Sequence, residues 1–164
     1  MKKLRLLLFE KCNRNCFGCC NKDWDLSKLE VENDFSKYEI IMLTGGEPLL
    51  APNYVLKIID KIRKVSSAKI YVYTAKTNKP RDILKVLNSS DGLTVTLHDQ
   101  ADVSAFISLN TFLCAADLTK KSMRLNIFKG INISRCFLHQ WKVKENIEWI
   151  KNSPLPKDEE FKKL

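Results

Sequence analysis

The chain has 164 residues, 45% apolar, 9% aromatic and 29% charged; this is globular composition with enough chain for one core, and it argues against disorder. A closed eight-fold β/α barrel takes about 250 residues and seldom fewer than about 200, which excludes it at this length. With 28 Lys and Arg against 19 Asp and Glu, the net charge is +9, a surface that attracts anions without choosing among nucleic acid, acidic protein and charged cofactor.

The chain alternates strand-like and helix-like segments. Met1-Lys2-Lys3 and the short apolar run after it imitate a signal peptide. The uninterrupted run is only Leu6 to Phe9, closed by Glu10-Lys11, below the roughly 7–15 residues such a segment needs. Leu4–Phe9 therefore reads as a first strand buried on both faces. No segment approaches the roughly 18 consecutive apolar residues of a membrane span, and a cytoplasmic location is expected. A cysteine-rich loop follows, then a mixed, charged stretch from Asp25 to Tyr38 that takes no firm assignment. Glu39–Leu43 reads as a second strand, stopped by Thr44-Gly45-Gly46-Glu47-Pro48.

Val55, Ile58, Ile59 and Ile62 recur at helical spacing between Asn53 and Lys64. Lys69–Thr74 is a β-branched and aromatic third strand, and Pro80–Asn88 a helix that buries Ile83, Leu84 and Leu87. Leu93–Leu97 is a fourth strand, 101–116 a helix, and Met123–Phe128 a fifth strand, with Ile131–Ile133 as a short sixth. Glu145–Lys151 reads as a last helix with Ile147 and Ile150 inward. The two prolines and the charge run after Ser153 read as a surface extension or mobile end. Such alternation implies a parallel sheet whose ligands bind at the carboxyl ends of the strands. Both the cysteine loop and the Gly-Gly-Glu turn sit at such ends.

The six cysteines are Cys12, Cys16, Cys19, Cys20, Cys114 and Cys136, four of them within nine residues. Clustered in this way, without a secretory signal, they point to a metal site rather than a disulfide framework. Cys12, Cys16 and Cys19 have the spacing C-x3-C-x2-C. Three thiolates from one loop can hold three corners of a cubane cluster and leave the fourth iron open to a substrate. A structural zinc ion wants four protein ligands, which Cys114 or Cys136 would have to complete. Cys20 is no obvious fourth, because adjacent residues point apart.

C-x3-C-x2-C after a first strand, with Gly45-Gly46-Glu47-Pro48 after a second, resembles the radical S-adenosylmethionine superfamily. The resemblance implies a partial, TIM-like β/α barrel of five or six parallel strands over 1–152, with 153–164 as a charged C-terminal extension. It implies that Cys12, Cys16 and Cys19 hold a [4Fe-4S] cluster whose open iron takes the amino and carboxylate groups of S-adenosylmethionine. Reductive cleavage would then give a 5′-deoxyadenosyl radical that abstracts hydrogen from a substrate. The turn Thr44-Gly45-Gly46-Glu47 is expected at the amino-acid end of the cofactor, its carbonyls and carboxylate accepting from the cationic amino group.

Family members usually carry an aromatic residue just before the third cysteine. Here Gly18 stands there and Phe17 precedes it, so Phe17 is the candidate to pack near the adenine. The run Gly-Cys-Cys-Asn-Lys-Asp-Trp at 18–24 resembles the activating enzymes of glycyl-radical proteins. It implies a lean toward an activase acting on a protein partner, against a stand-alone enzyme modifying a small molecule, nucleotide or peptide. By position at strand ends, Thr74, Thr96, His98 and Asn126 are further cofactor contacts, each with the alternative of a backbone-satisfied polar group. Cys20, Cys114 and Cys136 read most simply as core or surface thiols. A flavodoxin- or ferredoxin-like electron donor is implied as a partner. Lys and Arg are dispersed along the chain, which argues against a nucleic-acid face. The rival classes are a non-catalytic iron–sulfur module and a zinc-stabilised interaction domain.

Overall fold

A computed structural model of the chain describes residues 2–17, 19–150, 152 and 154–164; the side chain of Cys20 is outside the description. The elements are β1 (Lys3–Leu7), α1 (Cys20–Asp23), β2 (Ile40–Thr44), α2 (Pro52–Arg63), β3 (Lys69–Thr74), α3 (Pro80–Ser89), β4 (Gly92–Leu97), α4 (Asp102–Leu113), β5 (Ser122–Phe128), β6 (Lys142–Ile147) and β7 (Glu159–Lys163). Among the described residues the strands form one open, all-parallel sheet in the order β6-β5-β4-β3-β2-β1-β7. No helix of the described residues is long and apolar enough to cross a membrane.

The apolar runs explain one side of this sheet. Leu4, Leu6, Ile41, Leu43, Ile70, Val72, Leu93, Val95, Leu125 and Ile127 share a buried cluster with the helix stripes Val55/Ile58/Ile59/Ile62, Ile83/Val86/Leu87 and Val103/Phe106/Leu109/Leu113. The other side differs from the expectation of strands buried on both faces. Lys3, Arg5, Tyr71, Tyr73, Arg124, Asn126 and Phe128 alternate with the core residues and remain half-buried. The period of two in β3 and β5 belongs to a sheet with one fully covered face.

The C-terminal third departs most from the sequence reading. Of the segment read as a helix over 145–151, residues 145–147 instead close strand β6, 148–150 belong to no element and residue 151 lies outside the described residues; β6 pairs with β5 through Arg124–Lys142, Leu125–Val143 and Asn126–Lys144. Asn146 has a φ of 55° and the register shifts between Asn126 and Phe128, a combination that a helical turn does not accommodate. Ile131–Ile133 forms no strand; both isoleucines are half-buried against the core. The presumed charged extension ends in β7, which pairs with β1 from Lys3–Glu159 to Leu7–Lys163.

One apolar side chain, Phe161, is buried in β7, against Leu7, Leu26 and the edge of Trp24. Charge supplies the rest of the docking. Arg5 meets Glu159 at 2.6 Å, Lys2 meets Glu160 at 2.7 Å, and Lys162 lies 3.1–3.5 Å from Glu30, Glu32 and Glu160. Burial acts to raise the pKa of Glu32, but Tyr38, Lys37, the Asp34 amide and Lys162 outweigh it and hold the carboxyl at about 2. Lys2 and Tyr38 hold Glu160 at about 2 as well, against an ordinary 4.5. Depressed carboxyl values stabilise the fold above their unfolded pKa, and that stability is lost as pH falls toward the folded value. The denaturation midpoint of the chain is therefore expected to drop between pH 4.5 and pH 2. Urea titrations across that window should show a shallower drop for Glu32→Gln; an equal slope would contradict this role.

Candidate functional site

The turn after β2 is built by two glycines in left-handed backbone, Gly45 at φ 85° and Gly46 at φ 48°. A Cβ on Gly45 would lie 2.0 Å from Leu7 Cδ1, and one on Gly46 would lie 2.1 Å from the Lys11 carbonyl oxygen. The Glu47 amide donates to that same Lys11 oxygen at 3.0 Å. The glycines thus let the turn lie directly on the end of β1 and the start of the cysteine loop.

Glu47 is 2% exposed. Its carboxylate accepts from the Leu49 amide (3.0 Å), the Thr74 hydroxyl (2.6 Å) and the Ala75 amide (2.9 Å). A carboxylate offers about four acceptor positions, so most of this one is committed to joining the ends of β2 and β3. Thr74 is likewise engaged, accepting from the Lys76 amide at 2.9 Å. Both residues border the cavity described next, and both are first of all struts of its wall.

Cys12 is exposed, and Cys16 and Cys19 are half-buried. All three border one cavity of about 200 Å³, shared with Thr44, Gly45, Gly46, Glu47, Thr74, Thr96 and His98. Residues from the ends of β1 to β4 are thereby gathered at one edge of the sheet, where a parallel sheet binds its ligands. A neighbouring hollow of about 410 Å³ shares Arg14, Cys16, His98 and Trp149 with it and is bordered by Phe17. Phe17 is 86% exposed, at the mouth of this second hollow rather than inside the first. Asn126 does not border the cavity; from the next strand, beside Thr96 in register, its amide donates to the Thr96 hydroxyl at 3.5 Å. Gly18 lies outside the described residues. A larger hollow of about 520 Å³ at Lys79–Asp82 and Phe112 has no cysteine on its wall.

Arg14, between the first two cysteines, fastens the loop to the far side of the cavity. Its guanidinium makes two bonds to Asp102, one of them at 3.0 Å, and faces His98 Nδ1 at 3.4 Å. Asp102, 8% exposed at the start of α4, also accepts from the His98 amide (2.8 Å) and the Asp99 amide (3.3 Å). Nothing local in the sequence marks this pair, 88 residues apart. Bonds to a charged group are worth about 1.5–3 kcal/mol each. Arg14→Gln is therefore expected to lower unfolding stability by about 2–3 kcal/mol in urea titrations, with Arg14→Lys intermediate because it loses the forked geometry.

His98 joins a cluster of three rings with Phe128 (centroids 5.0 Å apart) and Trp149 (5.4 Å), which also meet each other at 4.5 Å. Burial and the Arg14 charge push its pKa below the ordinary histidine range. The ring is neutral at pH 7, and an Arg14 N–H facing Nδ1 leaves the ring proton on Nε2 as a donor. Burial pushes the Cys16 thiol up, while Arg14 acts in the opposite sense. Trp149 was obscured in the sequence because a helix over 145–151 gives it no reason to face a strand-end site. Trp141 is core: it packs edge-on to Phe106 and donates its indole N–H to Asn110 at 2.8 Å.

Cys114 and Cys136 are exposed, beside Gln140 and Ser134, and neither borders the cavity. Among the described residues no three His, Cys, Asp or Glu side chains converge on the seat of a single metal ion. A polynuclear cluster has a different requirement, one thiolate for each iron that the protein holds, from residues that border a common space. The donor set of three thiols around one cavity fits that requirement. Compared with known proteins, the chain matches no family model and no curated protein.

Proposed function

We propose that this chain is a radical S-adenosylmethionine enzyme with a [4Fe-4S] cluster on Cys12, Cys16 and Cys19. The observation that carries the reading is that the three cysteines of C-x3-C-x2-C and the Gly-Gly-Glu turn border one cavity at the ends of the parallel strands. When bound, the cluster and S-adenosylmethionine supply the reductive cleavage that yields a 5′-deoxyadenosyl radical for hydrogen abstraction.

The chain's own residues prepare the place. The glycines bring the turn against the cysteine loop, where its backbone would receive the amino-acid end of the cofactor. Glu47 and Thr74 hold the turn rigid, and Arg14–Asp102 sets the loop against β4 and α4. His98 presents Nε2–H from within its aromatic stack, a donor suited to a carboxylate or a ribose hydroxyl. Strands β1 to β6 lie in chain order with β7 beside β1, the order of a barrel cut open between β6 and β7, which supports a partial TIM-like barrel. The half-exposed face inside that opening would take the substrate, and a flavodoxin- or ferredoxin-like donor would supply the electron.

Anaerobic reconstitution with iron and sulfide tests the assignment. A brown, sulfide-containing chromophore that forms 5′-deoxyadenosine on reduction with S-adenosylmethionine is expected. Tight zinc binding without a chromophore would instead support an interaction module.

A further inference from the structure

Charge on the half-exposed face of the sheet is unevenly matched. On its β1–β7 side, Arg5 is paired with Glu159 at 2.6 Å and Lys3 with Asp158 at 2.7 Å. On its β5–β6 side the register sets Arg124 beside Lys142, and Asn126 beside Lys144. Val143, between the two lysines, packs on the core, so Lys142 and Lys144 belong to the opposite, half-exposed face. Among the described residues no carboxylate pairs with Arg124, Lys142 or Lys144. Arg124 is steadied by the Ser122 hydroxyl on Nε (3.2 Å) and by the Tyr71 ring (4.9 Å to the centroid), which leaves its terminal nitrogens for another acceptor.

A second observation points to the same place. Thr94 is 2% exposed, and its hydroxyl has no hydrogen-bond partner. It alternates with the core residues Leu93 and Val95, and its neighbours across the sheet are Tyr73 and Arg124. An unpartnered buried hydroxyl costs about 1–3 kcal/mol, so the sheet beneath this patch holds a polar atom still in want of a partner, directly beside Arg124. The patch also leads to the cysteine cavity, since Asn126 bonds to Thr96 and Thr96 borders that cavity.

Adjacent strands are about 4.8 Å apart, and residues two apart on one strand are separated by about 6.6 Å. Three cations on that grid can reach a single group. One carboxylate would be outnumbered by them; a phosphate, with three oxygens and a charge near −2, is matched. A protein segment is better read by a row of charges than by one compact spot.

We propose that Arg124, Lys142 and Lys144 bind the phosphate of a small-molecule substrate and thereby hold its reacting part beside the cysteine cavity. Its meaning as a substrate site rests on the function proposed above; the phosphate site itself does not. Calorimetric titration of the metal-free chain with inorganic pyrophosphate tests it. The dissociation constant is expected to rise at least about tenfold in Arg124→Gln and in the Lys142→Gln/Lys144→Gln double variant. It should stay unchanged in Lys57→Gln/Lys61→Gln, which removes two exposed charges from α2. Equal weakening in all three variants would reduce the effect to net charge and overturn the proposal. Binding of a hexaglutamate peptide in place of pyrophosphate would overturn it in favour of an acidic protein partner. Because binding is read without a cluster, failure here leaves the cofactor reading standing, and failure of cofactor cleavage leaves the phosphate site standing.

Discussion

Replacing Cys16 with Ala is expected to abolish cluster binding, with iron and sulfide after anaerobic reconstitution falling to background and the brown absorbance lost. Cys16 is half-buried and borders both hollows of the site. No described residue offers a substitute, since Cys114 and Cys136 sit away from the cavity. The fold should tolerate the change. A small side chain at a half-buried loop position typically alters stability by no more than about 1 kcal/mol. Cys114→Ala and Cys136→Ala serve as controls and should keep their full iron content. Iron content unchanged in Cys16→Ala would mean that the three-cysteine motif does not hold the metal.

The second large effect falls on Glu47, and here the prediction concerns stability before chemistry. In Glu47→Ala the Leu49 amide, the Thr74 hydroxyl and the Ala75 amide all lose their acceptor. Each buried donor left unpaired costs about 1–3 kcal/mol, so a loss of about 3–5 kcal/mol is expected. Glu47→Gln keeps one acceptor oxygen for Leu49 and Thr74 but turns an amide NH₂ toward the Ala75 N–H, at a cost of about 2 kcal/mol. Urea denaturation of the metal-free protein measures both. A residue whose task was only to receive a ligand's amino group would leave that stability unchanged, and such a result would contradict the strut assigned here.

The first two-thirds of the fold was legible because its signals are apolar and local. Runs such as those around Ile41 and Ile70, and the stripe Val55/Ile58/Ile59/Ile62, register as strands and helices in any window. The last third lacks those signals for a physical reason. Strand β6 lies at an edge and packs only Val143 on the core, while β7 buries Phe161 alone and docks through ion pairs with β1 and the 30–32 segment. Edge strands commonly carry charge, which guards against pairing with other chains and also hides them from a hydrophobic pattern. The site followed the same division. The cysteines and the Gly-Gly-Glu turn were readable as motifs, and strand-end reasoning brought Thr74, Thr96 and His98 to the cavity. Asn126 fell one strand to the side of the cavity, Phe17 pointed to solvent, and Arg14–Asp102 had no signal because its partners come together only in the folded sheet.

One measurement bears most directly on the central claim: the products formed when the reconstituted, reduced chain is given S-adenosylmethionine under strict exclusion of oxygen. The account predicts 5′-deoxyadenosine and methionine in equal amounts, dependent on the reductant and absent from Cys16→Ala. A chain that carries its full complement of iron and sulfide, accepts the electron and releases neither product would contradict it.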